Sequence, residues 1–368
     1  MGGIENLMAG LAGAFRHQGF EVHVLADRAR SEGVVDHALC DRLDRFGGPR
    51  PLRRWRKMRR AKALLAQHKV TAIVADSYKS IEFLPQTDVP VLVLAHGMEF
   101  PDQPSGRKMR RIRDAFAKAS HVIANSQFTL VQARPYLSAA TQAVVINPPI
   151  GPQPDASASA RAAVEAIIGS SHPVLMTLSR LEPRKGVDQV IRSLPLLIRH
   201  HPDLLYLVAG GGEDATRLKA LAAECGIEPH IRFLGRVDDD MKAALLERAN
   251  LFAMPVRREG ASVEGFGISY CEAAWYGVPA LAGQEGGAVD AVTHGVTGLV
   301  CDGADQAAVS AALLDLLGDE AQRQRFADAA KQRARGPLQW NEAIKAYLAL
   351  LPRDRTEAGS AATGSGQG

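Results

Sequence analysis

The chain has 368 residues, 46% of them apolar and 23% charged, with a net charge of +4. This suits a globular protein of two ordinary domains and excludes a disordered chain, while no apolar run approaches the roughly 20 residues of a membrane span. Four scattered cysteines, Cys40, Cys225, Cys271 and Cys301, lack paired spacing. They argue against a disulfide framework or a metal site and for a reducing compartment. With no signal peptide evident in Met1 to Phe15, the expected location is the cytoplasm.

The first half alternates short β-branched runs with helical patterns. Gly2-Gly3-Ile4-Glu5 precedes an amphipathic helix from Asn6 to Gln18. Glycines there allow a phosphate or substrate to approach the backbone closely, although a loose start would read the same. Strands are expected at Val22–Ala26, Ala72–Asp76, Val91–His96, Val122–Asn125 and Val144–Ile146. His96 ends the third of these, where it would face a ligand cleft; a lone histidine is more often simply satisfied in place. Residues 1–151 carry 22 Lys and Arg against 13 Asp and Glu. Arg50 to Lys69 holds nine of these cations and no acid, and Arg107 to Lys118 holds six cations and one acid, Asp114. Leu52, Trp55 and Met58 share one helical face among the cations of the first run, with Leu65 further along. An anionic membrane surface attracts such a helix at about 1 kcal/mol per cation. A solvated face that steers an anionic substrate is the alternative. No aromatic platform supports nucleic acid as a partner.

Pro148, Pro149, Gly151, Pro152 and Pro154, followed by Asp-Ala-Ser-Ala-Ser, mark a linker. The expected division is a first domain over 1–150, a linker over 151–172 and a second domain over 173–335. A final helix over 336–352 and a disordered tail over 353–368 follow. Strands of the second domain are expected at Val174–Ser179, Leu205–Ala209, Ile231–Leu234, Leu251–Met254, Ala280–Ala282 and Gly298–Cys301. Alternation of this kind builds two doubly wound α/β sheets, whose ligands lie beyond the carboxyl ends of the strands.

Three stretches follow those strand ends. Ser179-Arg-Leu-Glu-Pro-Arg-Lys-Gly186 offers Arg180, Arg184 and Lys185, cations suited to a diphosphate whose charge grows as it leaves. Val237 and Asp239 follow the strand ending near Leu234. A carboxylate there can accept both guanine N1–H and N2–H, whereas an Asp that merely caps the next helix is the plainer reading. Glu264-Gly-Phe-Gly-Ile-Ser-Tyr-Cys-Glu272 places Gly265, Phe266, Gly267 and Ile268 at a helix N-terminus, where free N–H groups favour an anion. Glu264 and Glu272 flank that site and suit hydroxyls, a sugar and a ribose. The glycine triplet Gly210-Gly211-Gly212 matches no phosphate fingerprint and reads as a tight turn.

Taken together and in this order, these segments resemble the retaining, nucleotide-sugar-dependent glycosyltransferases of the GT-B fold. The longer stretch, with Gly283-Gln-Glu-Gly-Gly287, is similar to phosphatidylinositol mannosyltransferases and their polysaccharide-building relatives. The resemblance implies two Rossmann-like domains facing across a cleft. It implies that Arg180 and Lys185 hold the diphosphate and that Glu264 takes the sugar hydroxyls with backbone from Phe266 to Ile268. Glu272 would hold the ribose, His96 would reach the sugar from the first domain, and Gly3 would lie near the diphosphate. It further implies front-face transfer without a metal or cofactor, a final helix around Trp340 to Leu351 that crosses back onto the first domain, and a lipid-linked or saccharide acceptor. The donor would carry a hexose, with mannose from GDP-mannose favoured by the Asp239 reading. A UDP-sugar donor, or a non-catalytic sugar-nucleotide binder, stands as the alternative. In this family a strand normally precedes the Gly-Gly-Ile-Glu loop; here the chain opens on the loop. Either the true start lies upstream or the first sheet lacks its central strand, leaving two strand edges exposed.

Overall fold

The computed structural model describes residues 3–28, 39–100 and 105–352; Gly2 and the tail from Arg353 lie outside the described residues. In the first lobe, α1 (Gly3–His17) buries Leu7, Leu11, Ala14 and Phe15, spaced at three and four residues. It begins three residues earlier than Asn6. Then come β1 (His23–Asp27), β2 (Arg42–Phe46), α2 (Arg50–Gln67), β3 (Ile73–Ala75), α3 (Tyr78–Ile81), β4 (Val91–Ala95), α4 (Gly106–Phe116), β5 (His121–Ala124), α5 (Gln127–Ala133) and β6 (Gln142–Val145). Strand β2 was not expected. Its Arg-Leu-Asp-Arg-Phe sequence offers only two apolar side chains, and it forms because it pairs in parallel with β1, Leu43 opposite Val24.

The strands of this lobe form two pieces, β1-β2 and β3-β4-β5-β6, all parallel within each piece. Among the described residues no strand joins β1 to β3. Every residue of β4 is buried, since helices cover both faces. Val91, Val93 and Ala95 pack with Tyr78, Ile112 and Phe116, while Leu92 and Leu94 pack with Leu7, Leu11 and Phe15 of α1.

The second lobe contains α6 (Ala158–Ile168), β7 (Val174–Leu178), α7 (Val187–His200), β8 (Leu205–Ala209), α8 (Ala215–Glu224), β9 (Ile231–Gly235), α9 (Asp239–Arg248), β10 (Leu251–Met254), α10 (Ile268–Trp275), β11 (Ala280–Gly283), α11 (Ala288–Ala291), β12 (Gly298–Cys301), α12 (Gln306–Gly318) and α13 (Glu320–Arg335). Its parallel sheet has the order β12-β11-β10-β7-β8-β9. Phe252 and Met254 of β10 enter one core, Leu251 and Ala253 the other.

The linker expected over 151–172 is too long. Ser157 accepts a hydrogen bond from Ala160 N at 3.1 Å, and α6 starts there. Ala160, Val164 and Ile168, four residues apart, join the second lobe's core beside α9. An Ala- and Ser-rich composition suggests a linker, but alanine is the best helix former and serine a good N-cap. The last helix, α14 (Trp340–Leu348), returns to the first lobe, where Ile344 and Tyr347 pack against α1 and β4. Gly10 permits this: a Cβ there would lie 2.3 Å from Trp340 Cζ2.

Candidate active site

The chain runs from β7 through β8 to β9 on one side of the second sheet and from β10 through β11 to β12 on the other. The crevice between β7 and β10 is therefore the topological switch point. Ser179–Gly186 follows β7 and Glu264–Glu272 follows β10, so the two strongest motifs meet there. Glycines let their loops pack. A Cβ on Gly186 would lie 2.1 Å from Pro255 O, and one on Gly283 1.7 Å from Val256 O. The triplet is a tight turn laid on the first motif, since Cβ atoms on Gly210 and Gly212 would meet Ser179 O at 1.8 Å and Leu181 O at 2.2 Å.

An alternating chain of charges lines the crevice. Arg180 Nη1 lies 2.6 Å from Glu182 Oε1, and Arg184 Nη2 lies 2.9 Å from Glu182 Oε2. Arg184 Nη1 donates to Glu264 Oε2 at 2.7 Å, and Lys185 Nζ donates to that same oxygen. Arg184, Lys185 and Glu264 have side chains 5%, 10% and 13% exposed, whereas Arg180 is 69% exposed. Burial pushes the Glu264 carboxyl up, but Lys185 and Arg184 outweigh it and hold it below the usual range. Burial lowers the Lys185 ammonium despite its partner. Thus Lys185 and Glu264 meet directly. Arg180 reaches them only through Glu182 and Arg184; the sequence offers Arg184 for the diphosphate but gives Glu182 no role.

Helix α10 begins at Ile268 as expected, with Gly267 at φ +94° as its N-cap. Phe266 is buried beneath it. Gly3, at the start of α1, faces it across the cleft, with a Cβ position 3.6 Å from Ile268 Cδ1. Two helix N-termini therefore converge beside the cationic loop, an arrangement that favours an anion. Gly265 lies against the first lobe, where a Cβ would meet His96 O at 2.4 Å and Asn125 Nδ2 at 3.2 Å. The His96 main chain thus borders the site. Its ring is turned to Asp76, donating Nε2–H to Asp76 O at 2.9 Å.

Further contacts cross the cleft. Asp290 of α11 accepts from Gln127 N at 2.6 Å, capping α5 from the opposite lobe. Arg333 Nη2 donates to Asp290 O at 2.5 Å and anchors α11. Arg258 stands over the Phe128 ring at 5.9 Å.

Glu272 accepts from Lys242 Nζ at 2.8 Å, and Lys242 also meets Asp239 at 3.0 Å. Asp239 is exposed, and Val237 is half-buried against the core. It is Asp238 that caps α9, accepting from Met241 N at 2.8 Å. Lys242 was missed, although its step of three from Asp239 on a helix was a usable signal. Burial pushes the Cys271 thiol up to about 12, so it is no nucleophile at neutral pH. Among the described residues no group of three or more His, Cys, Asp or Glu is placed to hold a metal ion.

Comparison with known proteins follows this division. Residues 1–154 match the family described as Glycosyltransferase Family 4, and residues 164–333 match Glycosyl transferases group 1. The GDP-mannose-dependent alpha-(1-6)-phosphatidylinositol monomannoside mannosyltransferase of Mycolicibacterium smegmatis is 40% identical over 209 residues, covering 56% of this chain and 54% of the relative. A Mycobacterium tuberculosis glycogen synthase is 36% identical over 185 residues, covering 49% of this chain and 44% of the relative. The chain thus matches about half the length of these curated relatives. In fold it is similar to Anabaena Alr3699/HepE, solved with UDP and glucose, at a TM-score of 0.73, 22% identity and coverage of 95% and 96% of the two chains. Sucrose-phosphate synthase from Thermosynechococcus elongatus gives a TM-score of 0.74 at 21% identity, with coverage of 95% and 92%. A family 4 domain, a group 1 domain and the GT-B arrangement of two lobes about the switch-point crevice place this chain among the glycosyltransferases.

Proposed function

We propose that the chain is a retaining glycosyltransferase that moves a hexose from a nucleotide sugar to a lipid-linked or saccharide acceptor. The observation that carries this is the meeting of Lys185, Arg184 and Glu264 at the start of α10, opposite Gly3 and the His96 main chain. Cations and helix ends gather where a diphosphate would depart and gain charge, and the Glu264 carboxylate suits the alcohols of the sugar. Glu264 Oε1 makes no hydrogen bond among the described residues and is the oxygen offered to those alcohols. Glu272, held by Lys242, suits a ribose. In this reading the positive charge comes from side chains and helix termini, so a metal is not required; transfer that survives a chelator is the expected result.

The donor we favour is GDP-mannose, on the names of the relatives and on the carboxylate of Asp239 beside Lys242. For the acceptor, the exposed large apolar residues of the first lobe support a lipid-linked molecule: Ile4, Leu52, Trp55, Phe83, Met98 and Val131. Two of these, Leu52 and Trp55, lie among the cations of α2. Asp27, Asp44 and Glu82 neutralise one side of α2 through Lys57, Arg53, Arg60 and Arg54. The outer side presents Leu52, Trp55, Arg56, Arg59 and Lys62, with Arg59 stacked over Trp55 at 5.2 Å. This face suits peripheral contact with an anionic membrane. Among the described residues no helix is long and apolar enough to cross a membrane.

Nucleotide release from a panel of GDP- and UDP-sugars, with and without lipid acceptors, tests the proposal. GDP-mannose should be consumed fastest. Silence with every donor would refute transfer.

A further inference from the structure

Arg184 is 4% exposed and its Nε is buried with no hydrogen-bond partner, although its two terminal nitrogens each hold a glutamate. In a guanidinium, Nε–H and Nη2–H share one edge, the edge a carboxylate grips with both oxygens. Glu182 meets this guanidinium at Nη2 alone, through Oε2 at 2.9 Å, while its Oε1 lies 2.6 Å from Arg180. Arg180 is the exposed member of the chain, long enough and wet enough to leave. Arg180 and Arg184 thus share one carboxylate, and the Nε of Arg184 is left without a partner.

We propose that Glu182 and Arg184 form a positioning relay, in which capture of Arg180 by a nucleoside diphosphate frees Glu182 to grip both Nε and Nη2 of Arg184, and the fixed guanidinium then locks Glu264 onto the sugar. This rests on the nucleotide-sugar reading above. The relay couples occupation of the diphosphate site to the orientation of a residue that touches a different part of the donor. No covalent step is involved; hydrogen bonds exchange and no charge is created.

The test compares the native chain with Glu182→Gln, Arg184→Lys, Arg180→Ala and the Arg180→Ala/Glu182→Gln double variant, each checked for native melting. Nucleoside diphosphate affinity is read by calorimetry and nucleotide-sugar turnover by nucleotide release. Glu182→Gln keeps the shape but loses the paired grip. It should leave nucleoside diphosphate affinity within about twofold while kcat falls on the order of 10- to 100-fold. Arg184→Lys, whose ammonium has no paired Nε and Nη2 edge for both oxygens of one carboxylate, should reproduce that split. Arg180→Ala should weaken nucleoside diphosphate binding, and the double variant should lose less kcat than the product of the single losses. Normal kcat in a natively melting Glu182→Gln variant, or strictly multiplicative losses, overturns the relay alone. A native chain that binds neither GDP nor UDP overturns the nucleotide-sugar reading itself.

Discussion

Lys185 and Glu264 form an ion pair shut away from water, and Arg184 shares the same carboxylate oxygen. Removing the acid by Glu264→Ala strands two cations in a buried setting, a change that costs about 3–5 kcal/mol. The melting point should then fall on the order of 10 °C. Glu264→Gln retains the volume and one acceptor and should melt much closer to the native chain. Both should lose transfer. Calorimetry beside nucleotide release checks this, and a native melting point for Glu264→Ala would show that the pair contributes nothing to the fold.

Gly265 fits because it has no side chain. Its Cβ position lies 2.4 Å from His96 O on the other lobe, closer than real Cβ contacts come. Gly265→Ala should hold the lobes apart with little change in either core. We expect a larger radius of gyration by X-ray scattering and a loss of kcat/KM on the order of 100-fold, the effect of misplacing reacting groups by about 1 Å. An unchanged scattering curve would mean that the lobes meet differently.

The two sides of α2 should answer differently. Replacing Arg56, Arg59 and Lys62 by glutamine, or Trp55 by alanine, should weaken co-sedimentation with anionic vesicles and leave the melting point unaltered. Replacing Arg53 and Arg60, which serve Asp27 and Asp44, should lower the melting point instead. Binding that survives the first set, or does not weaken with salt, would remove membrane contact from the proposal.

Acid should reach the first lobe through Glu82. Arg111 donates to it, burial opposes and the remaining cations assist, with the net effect of lowering its carboxyl below the ordinary 4.5. A carboxyl lowered in the folded state stabilises above its unfolded pKa, and that stabilisation is lost as the pH falls through the folded one. Melting points taken from pH 7 down to pH 3 should therefore fall below about pH 4.5. Glu82→Gln should start lower at neutral pH and fall less. Parallel curves for the two proteins would exclude Glu82 as a contributor.

Where hydrophobic periodicity carried the information, the sequence was legible. Leu205–Ala209, Leu251–Met254 and Gly298–Cys301 begin and end where their side chains predict, and Ile268 opens a helix after two glycines that only a close-packed turn requires. Long-range partners were not legible. Strand β2 exists through β1 and no local pattern announces it, whereas α6 had its alanines and serine cap as local signals and only its partner α9 was illegible. The same holds for Arg184 with Glu264 and Lys242 with Glu272, since sequence neighbours do not announce a distant acid. Asp238 and Asp239 show the limit, since one caps a helix and the other pairs with Lys242, and nothing in the run of three aspartates tells them apart.

Because α14 belongs to the first lobe's core although the chain reaches it last, the two lobes are stitched twice, once near residue 150 and again after Arg335. The stitches even touch, Ile150 N donating to Leu338 O at 2.8 Å. An exchange of lobes with a related enzyme that breaks the polypeptide once, between the family 4 and group 1 halves, would leave Leu11 and Phe15 facing a foreign helix. A chimera of this protein must carry its last turn of chain along with its beginning.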